Sequence, residues 1–174
     1  QNEGVFHATT KETRWLGNFE QDMFQAIGCF NAKELIIGTS SGLLHLEASD
    51  GEWKNNKVYM EGKNIASITR STTEKDILIV LTESGEINKV RSGEKGLQFA
   101  SWSSELDFMD VQYKTILEDK LGNLWVGTYG GGMIKLPVDE EKSPTVFTEA
   151  NGMSSHNVHS LLQDIEGNIW VGTF

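Results

Sequence analysis

Asp119-Lys-Leu-Gly-Asn-Leu-Trp-Val-Gly-Thr128 returns as Asp164-Ile-Glu-Gly-Asn-Ile-Trp-Val-Gly-Thr173, 45 residues further on (164 − 119). The first half of this decapeptide reads as a turn. Asp119 and Asn123 can bond their own backbone, and Gly122 can take positive φ. The second half, from Leu124 to Thr128, is rich in aromatic and β-branched residues and reads as a short strand. A calcium loop needs more alternating oxygen ligands than Asp119-x-x-Gly122-Asn123 provides. A period of about 40–50 residues marks a solenoid, a propeller or an array.

Two worn copies lie upstream. Asn31-Ala-Lys-Glu-Leu-Ile-Ile-Gly-Thr39 keeps the Gly-Thr ending, and Glu74-Lys-Asp-Ile-Leu-Ile-Val-Leu-Thr82 keeps the apolar run and the threonine. The residues before the threonines are Gly38, Leu81, Gly127 and Gly172, spaced 43, 46 and 45 apart. Four copies in register predict second strands at 35–39, 77–82, 124–128 and 169–173.

Around these strands the chain divides into units at about 23–60, 65–102 and 111–149, with an incomplete fourth at 157–174. Residues 1–17 read as an orphan outer strand. Each unit holds three to four short antiparallel strands, and a sheet that small cannot bury both faces alone. Radial stacking of such sheets is the propeller solution. The fold class is therefore all-β, a partial β-propeller of about three and a half four-stranded blades. Gly122, Asn123, Trp125 and Gly127, with Gly167, Asn168, Trp170 and Gly172, are the structural repeat residues. Trp125 and Trp170, with Ile36 and Ile79 at matching positions, are expected to be buried between adjacent blades. A second copy of the chain could supply what the unfinished unit lacks, as a two-fold homodimer closing a ring.

Composition narrows the function. The chain of 174 residues carries a net charge of −10 and three arginines, which argues against nucleic acid, since phosphate binding needs clustered Lys and Arg. No apolar run is long enough to span a membrane. No signal peptide is read in the sequence, and Gln1 is compatible with the first residue of a processed secreted chain. Cys29 lies in an apolar run and reads as a buried structural thiol. His45 reads as an exposed alternate position on a strand, with no second ligand repeating near it, so no metal site is expected. The Gly130-Gly-Gly132 triplet lacks the Lys-Ser or Lys-Thr of a phosphate loop and reads as a hairpin.

Thr148-Glu-Ala-Asn-Gly-Met-Ser-Ser-His-Asn-Val158, followed by Gln163 to Thr173, resembles the two-component regulator propeller repeat. Ile116 to Leu136 resembles it too; the first unit does so loosely, and the second has lost the Gly-Asn turn and the Trp. The resemblance implies the periplasmic sensor region of a hybrid two-component histidine kinase. In such proteins propellers precede an immunoglobulin-like domain, a membrane helix and a kinase, and characterised members sense oligosaccharides. It implies no enzymatic activity for this chain, contact with a membrane only through other parts of the protein, and no cofactor.

Two other classes stay open. Asp-x-x-Gly-Asn-x-Trp also looks like the Asp-box turn of sialidase propellers, which would make a glycan-active enzyme. Yet Arg14, Arg70 and Arg91 are scattered, and no paired carboxylates recur where two acids could flank a glycosidic bond. A pure protein-interaction scaffold is the third. Were a sugar bound, the loops at one end of the blades would hold it, namely the strand-four-to-one connections and the strand-two-to-three hairpins. Trp102, Asp107, Tyr129, His156 and Asn157 have suitable chemistry there, through ring stacking and hydroxyl recognition.

Overall fold

The computed structural model describes residues 4–8, 13–18, 23–49, 52–102, 106, 110–139 and 141–174. Asp107 lies outside them. Among the described residues there is no α-helix, and thus none long and apolar enough to cross a membrane.

The repeat register dictates the sheets. β1 (Gly4–Ala8) and β2 (Thr13–Asn18) form an antiparallel pair, two strands where the sequence suggests one. β3 (Phe24–Asn31), β4 (Glu34–Thr39), β5 (Leu43–Ser49) and β6 (Glu52–Tyr59) form the first four-stranded blade. The second is β7 (Ile65–Arg70), β8 (Ile77–Thr82), β9 (Ile87–Gly93) and β10 (Gly96–Ser101). The third is β11 (Gln112–Glu118), β12 (Leu124–Tyr129), β13 (Met133–Leu136) and β14 (Thr145–Phe147). β15 (Val158–Gln163) and β16 (Ile169–Thr173) pair as the start of a fourth. The expected second strands coincide with β4, β8, β12 and β16. The sheets do not close into a ring, so the protein is a partial propeller.

Inner strands lie side by side: β7 meets β3, β11 meets β7, and β15 meets β11. Second strands are sandwiched, which is why β8 is buried at every residue. Alternate residues serve opposite neighbours. Ile36 faces forward and packs with Leu78, Val80, Val90 and Ile65 of blade two. Ile79 faces forward and packs with Leu124, Val126, Ile116 and Tyr113 of blade three. Gly38 keeps this approach close: a Cβ there would lie 2.5 Å from Ile65 Cγ2. Gly127 does the same against Val158 Cγ1, also at 2.5 Å.

This geometry corrects the expectation for the tryptophans. Trp125 and Trp170 occupy the forward-facing position of Ile36 and Ile79. Trp125 is half-buried, stacked on Phe147 of its own blade with ring centroids 5.8 Å apart and with Lys135 Nζ 5.1 Å from its ring centroid. Trp170 is 62% exposed. The two indoles sit on equivalent hydrogen bonds, but the surface that buries each one belongs to the blade ahead. Blade four has only two described strands to offer Trp125, and no described element stands ahead of Trp170.

Two further readings change. Cys29 is exposed, not buried, because it lies at the end of an inner strand whose alternate residues point outward. The Arg70 guanidinium stands 3.9 Å from its sulfur while donating to the Cys29 and Phe30 carbonyls. His45, expected to be exposed, is only 1% exposed, because it lies beside Ile36 on the blade-two side of β5.

Candidate functional site

The two ends of the blades carry different chemistry. At one end, the turns before β12 and β16 are built alike. Asp119 Oδ1 accepts from the backbone N–H of Leu121 and Asn123, each at 2.9 Å. Its Oδ2 accepts from Asn123 Nδ2 at 2.9 Å and Trp125 Nε1 at 2.8 Å. Asp164 repeats this with the Asn168 backbone, Asn168 Nδ2 and Trp170 Nε1 at 2.8, 2.9 and 2.7 Å. Burial alone would raise the pKa of Asp119, but the bonds from Trp125, Asn123 and Leu121 outweigh it and hold the carboxyl below its ordinary value. Every strong acceptor direction is taken by an N–H. The turn is a structural knot, and the carboxylate is committed to tying it.

At the other end lie the hairpins, and threonine organises each. Thr128 Oγ1 donates to the Gly132 carbonyl at 2.8 Å and accepts from the Gly131 N–H at 3.0 Å. Thr39 and Thr82 bond their hairpins through the same oxygen, to Gly42 and Ser41 and to Glu86. The Gly-Thr ending of the repeat is thus a close-approach residue followed by a hairpin clamp.

The blade-three hairpin is stitched to the connection entering blade four. Gly132 N–H donates to the His156 carbonyl, and Gly130 N–H donates to Asn157 Oδ1, both at 2.9 Å. Ser154 and Thr173 share a hydroxyl bond of 2.8 Å. These bonds place Tyr129, His156 and Asn157 at one blade junction, with Tyr129 half exposed. Asn157 spends its carbonyl oxygen on Gly130. The His156 imidazole lies 3.4 Å from Glu149, which sits in a short 3-10 turn capped by Thr148.

Trp102 stands elsewhere. Its backbone N–H donates to the Ile87 carbonyl, its ring packs against the core between blades two and three, and Lys89 Nζ lies 4.7 Å from the ring centroid. Leu106 is buried, and its carbonyl accepts a bond from the Tyr113 hydroxyl. Sequence reasoning missed Glu149, whose only signal was its nearness in sequence to His156, and the acidic residues around His45. Glu34 pairs directly with Glu47, and Ile36 with His45, across the β4–β5 hairpin. That register follows from a turn at 40–42, so the cluster was legible once the hairpin was assigned.

Residues 106–130 and 152–174 match the family described as two component regulator propeller. Both matched segments reach the hairpin-face residues above. None of the curated proteins matches the chain in sequence. Among solved structures, the extracellular domain of BT4673 from B. thetaiotaomicron is similar at 18% and 16% identity, with TM-scores of 0.69 and 0.68 in two structures. Those structures are described as belonging to a one-component and to a hybrid two-component system, and each match covers 94% of this chain and 22% of that one. The extracellular domain of BT3049, described as a hybrid two-component system of the same organism, is 18% identical with a TM-score of 0.68. It is matched over 95% of this chain and 23% of that chain. YCF48 from Cyanidioschyzon merolae is similar at 11% identity and a TM-score of 0.62, over 88% of this chain and 49% of that chain. These likenesses establish the propeller fold. This chain spans under a quarter of the B. thetaiotaomicron domains.

Proposed function

We propose that this chain is part of the extracytoplasmic sensor propeller of a hybrid two-component system and helps bind an oligosaccharide in the periplasm. The observation that carries this reading is the stitched junction at 128–132 and 154–157, most of which lies within the segments that match the two component regulator propeller family. The description of BT4673 and BT3049 as extracellular domains of such systems supports it.

The chemistry suits a sugar. The half-exposed Tyr129 ring offers a stacking face for the apolar side of a pyranose. Asn157 Nδ2 and the His156 imidazole offer polar partners for hydroxyls, while the Gly130 bond fixes the Asn157 amide. A ligand touching both segments would bridge two blades and bias the angle between them, since a ligand shifts an equilibrium by its differential affinity for the two states. This role is binding, with no catalysis in this chain; the kinase of such a system would lie in another part of the protein.

A panel of neutral and acidic oligosaccharides, screened by thermal shift and followed by calorimetry and a reducing-end assay, tests the reading. The expected result is saturable binding without cleavage, weakened at least about tenfold by Tyr129→Ala, the order of one good contact. New reducing ends would favour a glycan-active enzyme. No binding across the panel would favour a protein-interaction scaffold.

A further inference from the structure

Glu34 and Glu47 are directly opposed across β4 and β5, and like charges opposed in a sheet repel. Both turn toward the same atom, His45 Nε2, at 2.8 Å from Glu34 Oε1 and 3.6 Å from Glu47 Oε1. His45 is buried, the Glu34 side chain is 12% exposed, and that of Glu47 is 49% exposed. Among the described residues no lysine or arginine forms an ion pair with either carboxylate, although Lys54 stands opposite Glu47 in the register. Lys57, opposite His45 in the register, places its ammonium over the Tyr59 ring instead. A neutral imidazole N–H can donate to Glu34, but this leaves Glu47 beyond hydrogen-bond distance at 3.6 Å, with no direct ion pair between the two carboxylates and a cation.

We propose that Glu34, His45 and Glu47 form a binding site for a divalent transition-metal ion, zinc(II) in the first instance. One imidazole nitrogen and two carboxylate oxygens are a zinc donor set, with three protein ligands and a fourth position left for water. Bonds of about 2.0–2.2 Å in a tetrahedron set ligand atoms roughly 3.3–3.5 Å apart. The observed separations of 2.8 and 3.6 Å bracket that spacing, and all three ligand atoms lie within 4.8 Å of one another. Asn31 Nδ2 donates to Glu34 Oε2 at 3.3 Å, which orients the other oxygen toward His45. The half-exposed Glu47 gives the ion a path from solvent. Binding at Nε2 leaves the imidazole proton on Nδ1, and the ion takes the place that a proton would hold between the two carboxylates. The site lies on blade one, at the end of the sheet away from the β4–β5 hairpin, so it is independent of the sugar-binding reading.

The test is calorimetric titration of the chelator-treated chain with zinc(II), and with cobalt(II) as a spectroscopic probe. The expected result is one zinc per chain and the visible absorption of four-coordinate cobalt. Glu47→Gln, which lies at the surface and should fold, is expected to weaken binding about tenfold or more, and His45→Gln to abolish it. No zinc retained by the folded wild-type chain would overturn the site. So would equal binding by wild type and both variants, which would place the ion elsewhere.

Discussion

The Ser71 hydroxyl donates to the Glu118 carboxylate at 2.7 Å, joining the turn of blade two to the inner strand of blade three. The same carboxylate accepts from the Thr72 and Thr73 backbone N–H groups at 2.5 and 3.2 Å and from both hydroxyls. Equivalent positions make equivalent joints. Arg70, Glu118 and Gln163 each pair with the residue four before the repeat threonine of the following strand: Leu78, Leu124 and Ile169. Each reaches back to the preceding blade, Glu118 and Gln163 to its turn and Arg70 to the end of its inner strand. Arg70 meets carbonyls at Cys29 and Phe30, Glu118 meets donors at 71–73, and Gln163 Oε1 accepts from the Lys120 N–H at 2.9 Å. The side chain at each joint is a donor where the facing groups are carbonyls and an acceptor where they are N–H or hydroxyl groups.

Glu118→Gln should lower stability by roughly 1–3 kcal/mol, the cost of disturbing buried bonds to a charged group. Burial alone would raise the Glu118 pKa, but the bonds from Ser71, Thr72 and Thr73 outweigh it, and the net shift is downward. A depressed folded-state value means this stabilisation is present above the ordinary glutamate range and is lost as pH falls through the folded value. Denaturant melts of wild type and variant should therefore converge in acid. A difference that is constant or grows toward low pH would contradict the joint.

Gly38→Ala should destabilise by about 1–3 kcal/mol through overpacking, because the new methyl meets Ile65 at 2.5 Å. Pairing it with Ile65→Val, measured as a double-mutant cycle, should recover part of that loss. Simple additivity would place the clash elsewhere.

Trp125→Ala should cost roughly 3 kcal/mol, the low end for truncating a packed indole. Trp170→Ala should cost about 1 kcal/mol in the same chain, the worth of its bond to Asp164. Equal losses by thermal melting would contradict the forward-facing assignment.

In a ring, the exposed face of Trp170 would meet a further blade, supplied by the same protein or by a second copy of this chain. Sedimentation at micromolar concentration should show a dimer that Trp170→Asp dissociates. A strictly monomeric mass would rule out closure by a second copy.

The repeat made the second strands legible because turn chemistry and strand composition agree over ten residues, twice. Burial was less legible, because it depends on what lies ahead in the ring: Ile36 and Trp170 share a register position, yet only Ile36 has a complete blade before it. Cys29 looked buried from its apolar neighbours, but its side of the inner strand faces outward. Loop position singles out Tyr129, His156 and Asn157, which lie together at the blade three–four junction. Trp102 was placed by the same rule, but its ring packs against the core between blades two and three.

The most direct test of the sensing account is amide hydrogen exchange on the chain with and without an oligosaccharide that binds it. The account predicts protection concentrated at 128–132 and 153–157, with the opposite turns at 119–123 and 164–168 unchanged. Protection confined to those opposite turns, or none at the blade three–four junction, would contradict it.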